Sequence, residues 1–205
     1  MTSVITGDII NSRGVSAETW LPVLKESFNT VGKTPKAWEI FRGDSFQIEI
    51  ESIAEALLFT FKLKSTIKKI KDLDIRLAIG IGNKSFDTEK ITEANGEAFI
   101  NSGYAFDYLL KKQNLALKTP WEDINDEFEV SINLSLLIMD NWTTNSAAFV
   151  NMSLQNPECT QKVIAKKLAI SESSASERRK RSGFDEIMKL EKRYRKLMNQ
   201  KLTNL

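Results

Sequence analysis

The chain has 205 residues, 41% of them hydrophobic and 27% charged. That balance describes a soluble globular protein with one full-sized domain and room for a small second module, and it excludes disorder and a disulfide-stapled mini-domain. One cysteine, Cys159, excludes an intrachain disulfide and points to a reducing, cytoplasmic setting.

The chain contains no histidine. Ser-His-Asp and Cys-His nucleophile systems are therefore excluded, as is every His-ligated zinc site. Neither zinc nor haem is expected. A metal here would be held by carboxylates and carbonyls, which suits Mg2+ or Mn2+. No apolar run approaches the roughly 18 to 20 residues of a bilayer span, so no membrane partner is expected. Met1 to Ile10 carries Asp8 and lacks a basic leader, and reads as a first strand and not a signal peptide.

The net charge of +2 conceals an asymmetry. Thr160 to Leu205 holds 13 basic and 5 acidic residues, a net +8, while the remaining 16 basic and 22 acidic residues give −6. An acidic body joined to a basic tail predicts that the tail meets a polyanion.

In chain order, Ser3 to Ile10 reads as a strand ending near Gly7-Asp8. Ser16 can cap a helix running through Val31, with Trp20, Val23, Leu24 and Phe28 on one face. Lys36 to Ile50 alternates around Gly43-Asp44, with Trp38 and Ile40 on one arm and Phe46, Ile48 and Ile50 on the other, a hairpin signal. Ser52 to Lys71 has the spacing of an amphipathic helix, and Asp74 to Gly82 (DIRLAIGIG) is a further strand. The order β-α-β-β-α-β predicts an α+β, ferredoxin-like palm over residues 1–119. In that topology the third strand lies between the first two and antiparallel to both. Asp8 and Asp44 then converge at one sheet edge, where one or two carboxylates would hold Mg2+ together with substrate phosphates.

Taken singly, Asp8 beside Asn11 and Ser12 reads as helix-capping turn chemistry, and Gly43-Asp44 as an ordinary hairpin turn. Their convergence is what points to metal or nucleotide binding. ITGDIINSR followed by IFRGDSFQIEI resembles the catalytic palm of class III nucleotidyl cyclases and, more distantly, of GGDEF diguanylate cyclases. The resemblance implies a metal set of Asp8, Ile9 and Asp44 and a phosphate cradle at Ile10, Asn11 and Ser12. GEAFINSGYAF resembles the cyclase helix that carries an Asn, here Asn101, but Ala105 stands at the expected Arg position. Ile40 stands where cyclases place the purine-selecting Lys. Arg42 and Arg13 are the remaining candidates for positive charge, and with Asn101 complete the catalytic candidates.

Residues 120–156 carry Phe128, Ile132, Leu136, Met139 and Trp142 at helical spacing. They predict a long helix broken near Thr143 to Ser146 and packed on the palm. Asn156-Pro157 is the best linker signal. In residues 157–205, TQKVIAKKLAISESSASERRKRSGFDEI has a helix-turn-helix layout: a first helix from about Gln161 to Leu168, a turn at Ala169-Ile170-Ser171, and a second helix from about Ser173 through Arg181. Ser173, Ser174, Ser176, Glu177, Arg178, Arg179 and Arg181 populate the recognition helix, whose polar residues would reach base edges while its cations clamp phosphates. Phe184, Ile187, Leu190, Tyr194 and Leu197 continue as an amphipathic tail helix that closes the module or pairs two subunits.

A small palm with GDI…SR and RGDSFQ, followed by this helix-turn-helix, resembles the SatD-like family of bacterial proteins, whose members are regarded as transcriptional regulators. The resemblance covers nearly the whole chain. The expectation is a DNA-binding regulator whose palm binds a nucleotide with a divalent metal, with a homodimer implied. A nucleotidyl cyclase or cyclic-oligonucleotide synthase using Asp8 and Asp44, and an inactive palm serving as a dimer scaffold, are the alternatives.

Overall fold

Alternation along the β runs decides which side chains face the core, and the strands assemble accordingly. The computed structural model describes residues 1–109 and 113–203. Its elements in chain order are β1 (Thr2–Ile10), α1 (Ala17–Asn29), β2 (Trp38–Phe41), β3 (Ser45–Ile50), α2 (Ala56–Lys68) and β4 (Asp74–Gly82). There follow β5 (Lys84–Phe86), β6 (Asn95–Gly96), α3 (Glu97–Leu109), β7 (Leu115–Lys118), α4 (Glu122–Met139), α5 (Thr144–Gln155), α6 (Gln161–Lys167), α7 (Glu172–Arg181) and α8 (Phe184–Thr203).

One five-stranded mixed sheet has the order β2-β3-β1-β4-β7. As the element order predicts, β3 lies between β1 and β2 and is antiparallel to both. β4 pairs antiparallel with the other edge of β1, and β7 adds to β4 in parallel. The sequence reading did not anticipate β7: LALK is too short for alternation to stand out. β5 and β6 form a separate two-stranded ribbon.

The registers sort the two sheet faces. Ile5, Ile9, Phe46, Ile48, Ile75, Leu77 and Ile79 share one face and enter the principal core with Trp20, Leu24 and Phe28 of α1. Asp8, Ser45 and Arg76 fall on the opposite face, because Asp8 pairs with both of the others. That face also receives α3. A Cβ at Gly80 would lie 2.1 Å from the Ser102 nitrogen, so glycine is what lets α3 sit directly on β4.

The expectation that α2 is amphipathic is corrected. Besides Ala56, Leu57, Phe59, Leu63 and Ile67, it buries Phe61, Lys64, Ser65, Thr66 and Lys68. The sheet covers one side of α2, while α1, α5 and α8 pack around the rest. The buried polar residues on those sides disguise a central helix as a surface one.

The predicted break in the long connecting helix occurs at residues 140–143, and Thr143 caps α5 by accepting from the Ser146 amide. Phe128, Ile132, Leu136, Met139 and Trp142 are all buried in the principal core. A smaller core gathers Phe149 of α5, Ile164 and Ala165 of α6 and Ala175 of α7, with Cys159, Leu168, Ile170 and Phe184 packed against it. α8 joins the principal core through Ile187, Tyr194 and Met198. The Tyr194 hydroxyl donates to the Ile53 carbonyl at 2.7 Å, and Tyr194 meets Phe128 edge-on at 5.4 Å. Among the described residues, no helix is long and apolar enough to cross a membrane.

Candidate functional site

The first candidate site forms where β1 ends beside the β2–β3 hairpin. The hairpin turns through Arg42 (φ 52°) and Gly43 (φ 93°), two successive left-handed residues of the kind that reverse a twisted ribbon tightly. Asp44 follows and enters β3. On the neighbouring strand, β1 runs out at Ile10. Asn11 then takes a left-handed conformation (φ 64°) that opens a short 3-10 turn at Ser12–Gly14.

The turn and the hairpin are joined: the Ser12 hydroxyl donates to Asp44 Oδ2. The Asn11 side-chain amide is committed elsewhere, donating to the Asp72 carbonyl at 2.9 Å. Ile10 is half-buried. Ile9 turns its side chain into the core, so only its main-chain carbonyl is left to serve a cation. Arg13 and Arg42 are exposed, one on each loop of this edge.

Sequence reasoning missed Arg76. It lies directly opposite Asp8 in the β1–β4 register, and its guanidinium grips the carboxylate with both forks: Nε to Oδ1 at 2.8 Å and Nη2 to Oδ2 at 2.5 Å. The hydrogen bond to Asp8 holds Arg76 above its ordinary pKa; burial opposes this, and the charges of Asp8 and Asp44 add to it. The one cation inside the apolar run DIRLAIGIG was the signal that could have found it.

Asn101 belongs to another part of the sheet. Its amide donates to the Ile81 carbonyl at 2.7 Å, five residues beyond Arg76 along β4, which is about 16 Å of strand.

Among the described residues, no group of three or more Asp, Glu, Cys or His side chains could hold a metal ion. Asp8, Asp44 and the Ile9 carbonyl would supply an all-oxygen donor set. It fits a hard divalent cation that arrives with phosphate ligands of its own, and is too small to cage a bare ion.

The second candidate site is the surface of α6 and α7. Thr160 and Ser171 cap these helices by accepting from Val163 and Ser174 amides. Between them the chain reverses at Ala169 (φ 54°), with the Ile170 amide bonded to the Ala165 carbonyl. Ala175 faces inward, completely buried. Ser173, Ser176, Glu177, Lys180 and Arg181 are exposed on α7, as are Lys162, Lys166 and Lys167 on α6.

Ser174 and Arg178 are half-buried, and Ser173 shares a hydrogen bond with Ser171. Arg181 pairs with Glu177 one turn earlier. Arg179 turns away and pairs with Asp185. Sequence reasoning passed over Lys166 and Lys167; their exposure follows from the burial of Ile164 and Ala165 on the other side of a two-turn helix.

A family model described as the SatD family matches residues 3–200, nearly the entire chain. None of the curated proteins compared matches it.

Proposed function

The chain belongs to the SatD family, and we propose that it is a DNA-binding transcriptional regulator whose palm binds a nucleotide together with Mg2+ or Mn2+. The observation that carries the first half is the α6–α7 pair. Two capped helices meet over a small core of Ile164, Ala165 and Ala175 closed by Phe149 of α5, and the outer face of the second is polar and basic. This arrangement supports a helix-turn-helix reading, in which residues of the second helix would enter the major groove. Ser173 and Ser176 would read base edges, and Lys180, Arg181 and the α6 lysines would hold phosphates.

The palm is ferredoxin-like in the order of its first four strands and resembles the nucleotidyl cyclases in the placement of Asp8 and Asp44. A divalent ion held by those carboxylates would neutralise nucleotide phosphates. The Ser12 turn would cradle the phosphates, and Arg76 would add positive charge. α4 keeps Val130, Leu134 and Leu137 exposed on one face, an apolar stripe that a second copy would bury. A cytoplasmic homodimer would present two recognition helices to half-sites about one helical turn apart.

The test is duplex binding followed across a salt series. Duplex affinity should fall steeply with salt and weaken in Arg181→Ala and in Arg178→Ala; affinity that ignores both substitutions removes this reading of α7. The convergence of Asp8 and Asp44 also favours a second reading, a nucleotidyl cyclase or oligonucleotide synthase. Nucleoside triphosphates incubated with Mn2+ would then yield a cyclic or oligomeric product that is lost in Asp8→Asn and Asp44→Asn.

A further inference from the structure

Both oxygens of the Asp8 carboxylate are already taken. Nε and Nη2 of Arg76 each hold one of them, in the parallel two-bond geometry that makes Arg–carboxylate pairs strong and directional. The pair is withdrawn from solvent but not sealed: the side chains are 15% exposed for Asp8 and 28% for Arg76. The other acid of the site, Asp44, holds the Ser12 hydroxyl. Two carboxylates and one guanidinium leave a formal charge of −1, too little to strip water from a bare divalent cation.

We propose that the Arg76–Asp8 pair is a displaceable latch that makes cation binding depend on nucleotide binding. The inference rests on the reading of the palm as a nucleotide site. A polyphosphate entering beside Ser12 offers Arg76 a more highly charged partner of the same bidentate geometry. Arg76 moves to the phosphates, and Asp8 becomes free for the cation that accompanies them. Each ligand then raises the affinity of the other by the same factor, as linkage requires. Arg76 is the positioning residue of the exchange: its position opposite Asp8 on β4 lets one rotation of the side chain serve either partner. The device keeps the palm free of metal until its nucleotide is present, so only the pair of ligands is sensed.

The test uses the full-length chain and Mn2+ titrations read by electron paramagnetic resonance, first alone and then with non-hydrolysable methylene analogues of ATP and GTP. Wild type should bind Mn2+ at least tenfold more weakly alone than with an analogue that binds. Arg76→Gln should bind Mn2+ alone at least tenfold more tightly than wild type, lose that gain in Arg76→Gln/Asp8→Asn, and bind the analogue at least tenfold more weakly. Arg76→Lys, which keeps the charge but not the fork, should fall between them and serves as the test if Arg76→Gln fails to fold. Equal Mn2+ affinity in wild type and the Arg76 variant, with nucleotide binding retained, overturns the latch and leaves the nucleotide reading intact. If neither Mn2+ nor any analogue binds in any variant, the nucleotide reading itself fails and the latch with it.

Discussion

Arg179 turns back from the basic face of α7 and closes on Asp185 at the start of α8. Its Nε meets Oδ1 at 3.2 Å and Oδ2 at 3.1 Å, its Nη2 meets Oδ1 at 2.6 Å, and its guanidinium lies 5.6 Å from the centre of the Phe184 ring. The pair spans the corner at Gly183 (φ 60°) that joins the two helices. It holds Asp185 below the usual carboxylate range. Neighbouring residues on one basic helix therefore have different work to do.

Arg179→Ala should lower stability by about 0.5–1 kcal/mol, a modest amount because both partners are more than a third exposed. It should leave the salt dependence of DNA binding unchanged. Lys180→Ala and Arg181→Ala should do the reverse, each reducing the slope of log K against log salt by about 1. Thermal unfolding and anisotropy titrations on the same variants check this. A reduced slope in Arg179→Ala would place its guanidinium on phosphate and not on Asp185.

Lys64 is the strongest test of the buried charge in α2. Its ammonium is fully buried between Asp74 at 2.9 Å and Asp140 at 2.7 Å, and Lys68 holds the other Asp74 oxygen and the Asp140 carbonyl. Lys64→Met should cost about 2–3 kcal/mol, because it removes the charged hydrogen-bond partner of Asp140 while Asp74 keeps Lys68. Adding Asp140→Asn should recover part of that loss. Urea midpoints of the single and double variants decide the matter.

Tyr194 fastens α8 to the palm. Replacing it with Phe keeps the packing against Phe128 but removes one of the two donors to the buried Ile53 carbonyl, which retains the Ala56 amide. The expected loss is about 0.5–1.5 kcal/mol, measured by chemical denaturation. Since α8 shares the principal core, the loss should appear in a single transition that includes the palm.

Acid should loosen the contact between the β2–β3 region and the ribbon. Lys36 first, and then Lys84, bind Asp87 and lower its pKa from the ordinary 3.8 to about 2. The contribution of such a group is complete above its unfolded pKa and is lost as pH falls through the folded one. Melting temperatures of wild type should therefore fall more than those of Asp87→Asn between about pH 4 and 2, the two curves converging at the acid end.

Short-range pattern accounted for most of the fold. Trp20, Leu24 and Phe28 announced α1, the flanks of Gly43-Asp44 announced the hairpin, and the turn at Ala169-Ile170-Ser171 separates two helices in an all-helical C-terminal region. The meeting of Asp8 with the hairpin tip was legible too, because chain order alone constrained β3 to lie between β1 and β2.

What escaped were pairings of distant residues. Arg76 becomes part of the site only once β4 is paired with β1 in one particular register; a slip of one residue would send its side chain to the core face. Lys64 and Lys68 read as the polar side of an amphipathic helix until Asp74 at the start of β4 and Asp140 just beyond α4 are folded against them.

Most of the elements, the acidic body and basic tail, and the approach of the two carboxylates are legible along the chain, since periodicity and charge are local properties; the short strands β5, β6 and β7 are not. Which charges are free and which are neutralised is settled by folding. Arg76 holds Asp8, Arg179 holds Asp185, and Lys64 joins Asp74 to Asp140. The reason is physical: the interaction of two charges depends on their separation and shielding in space, and neither is written in their spacing along the chain.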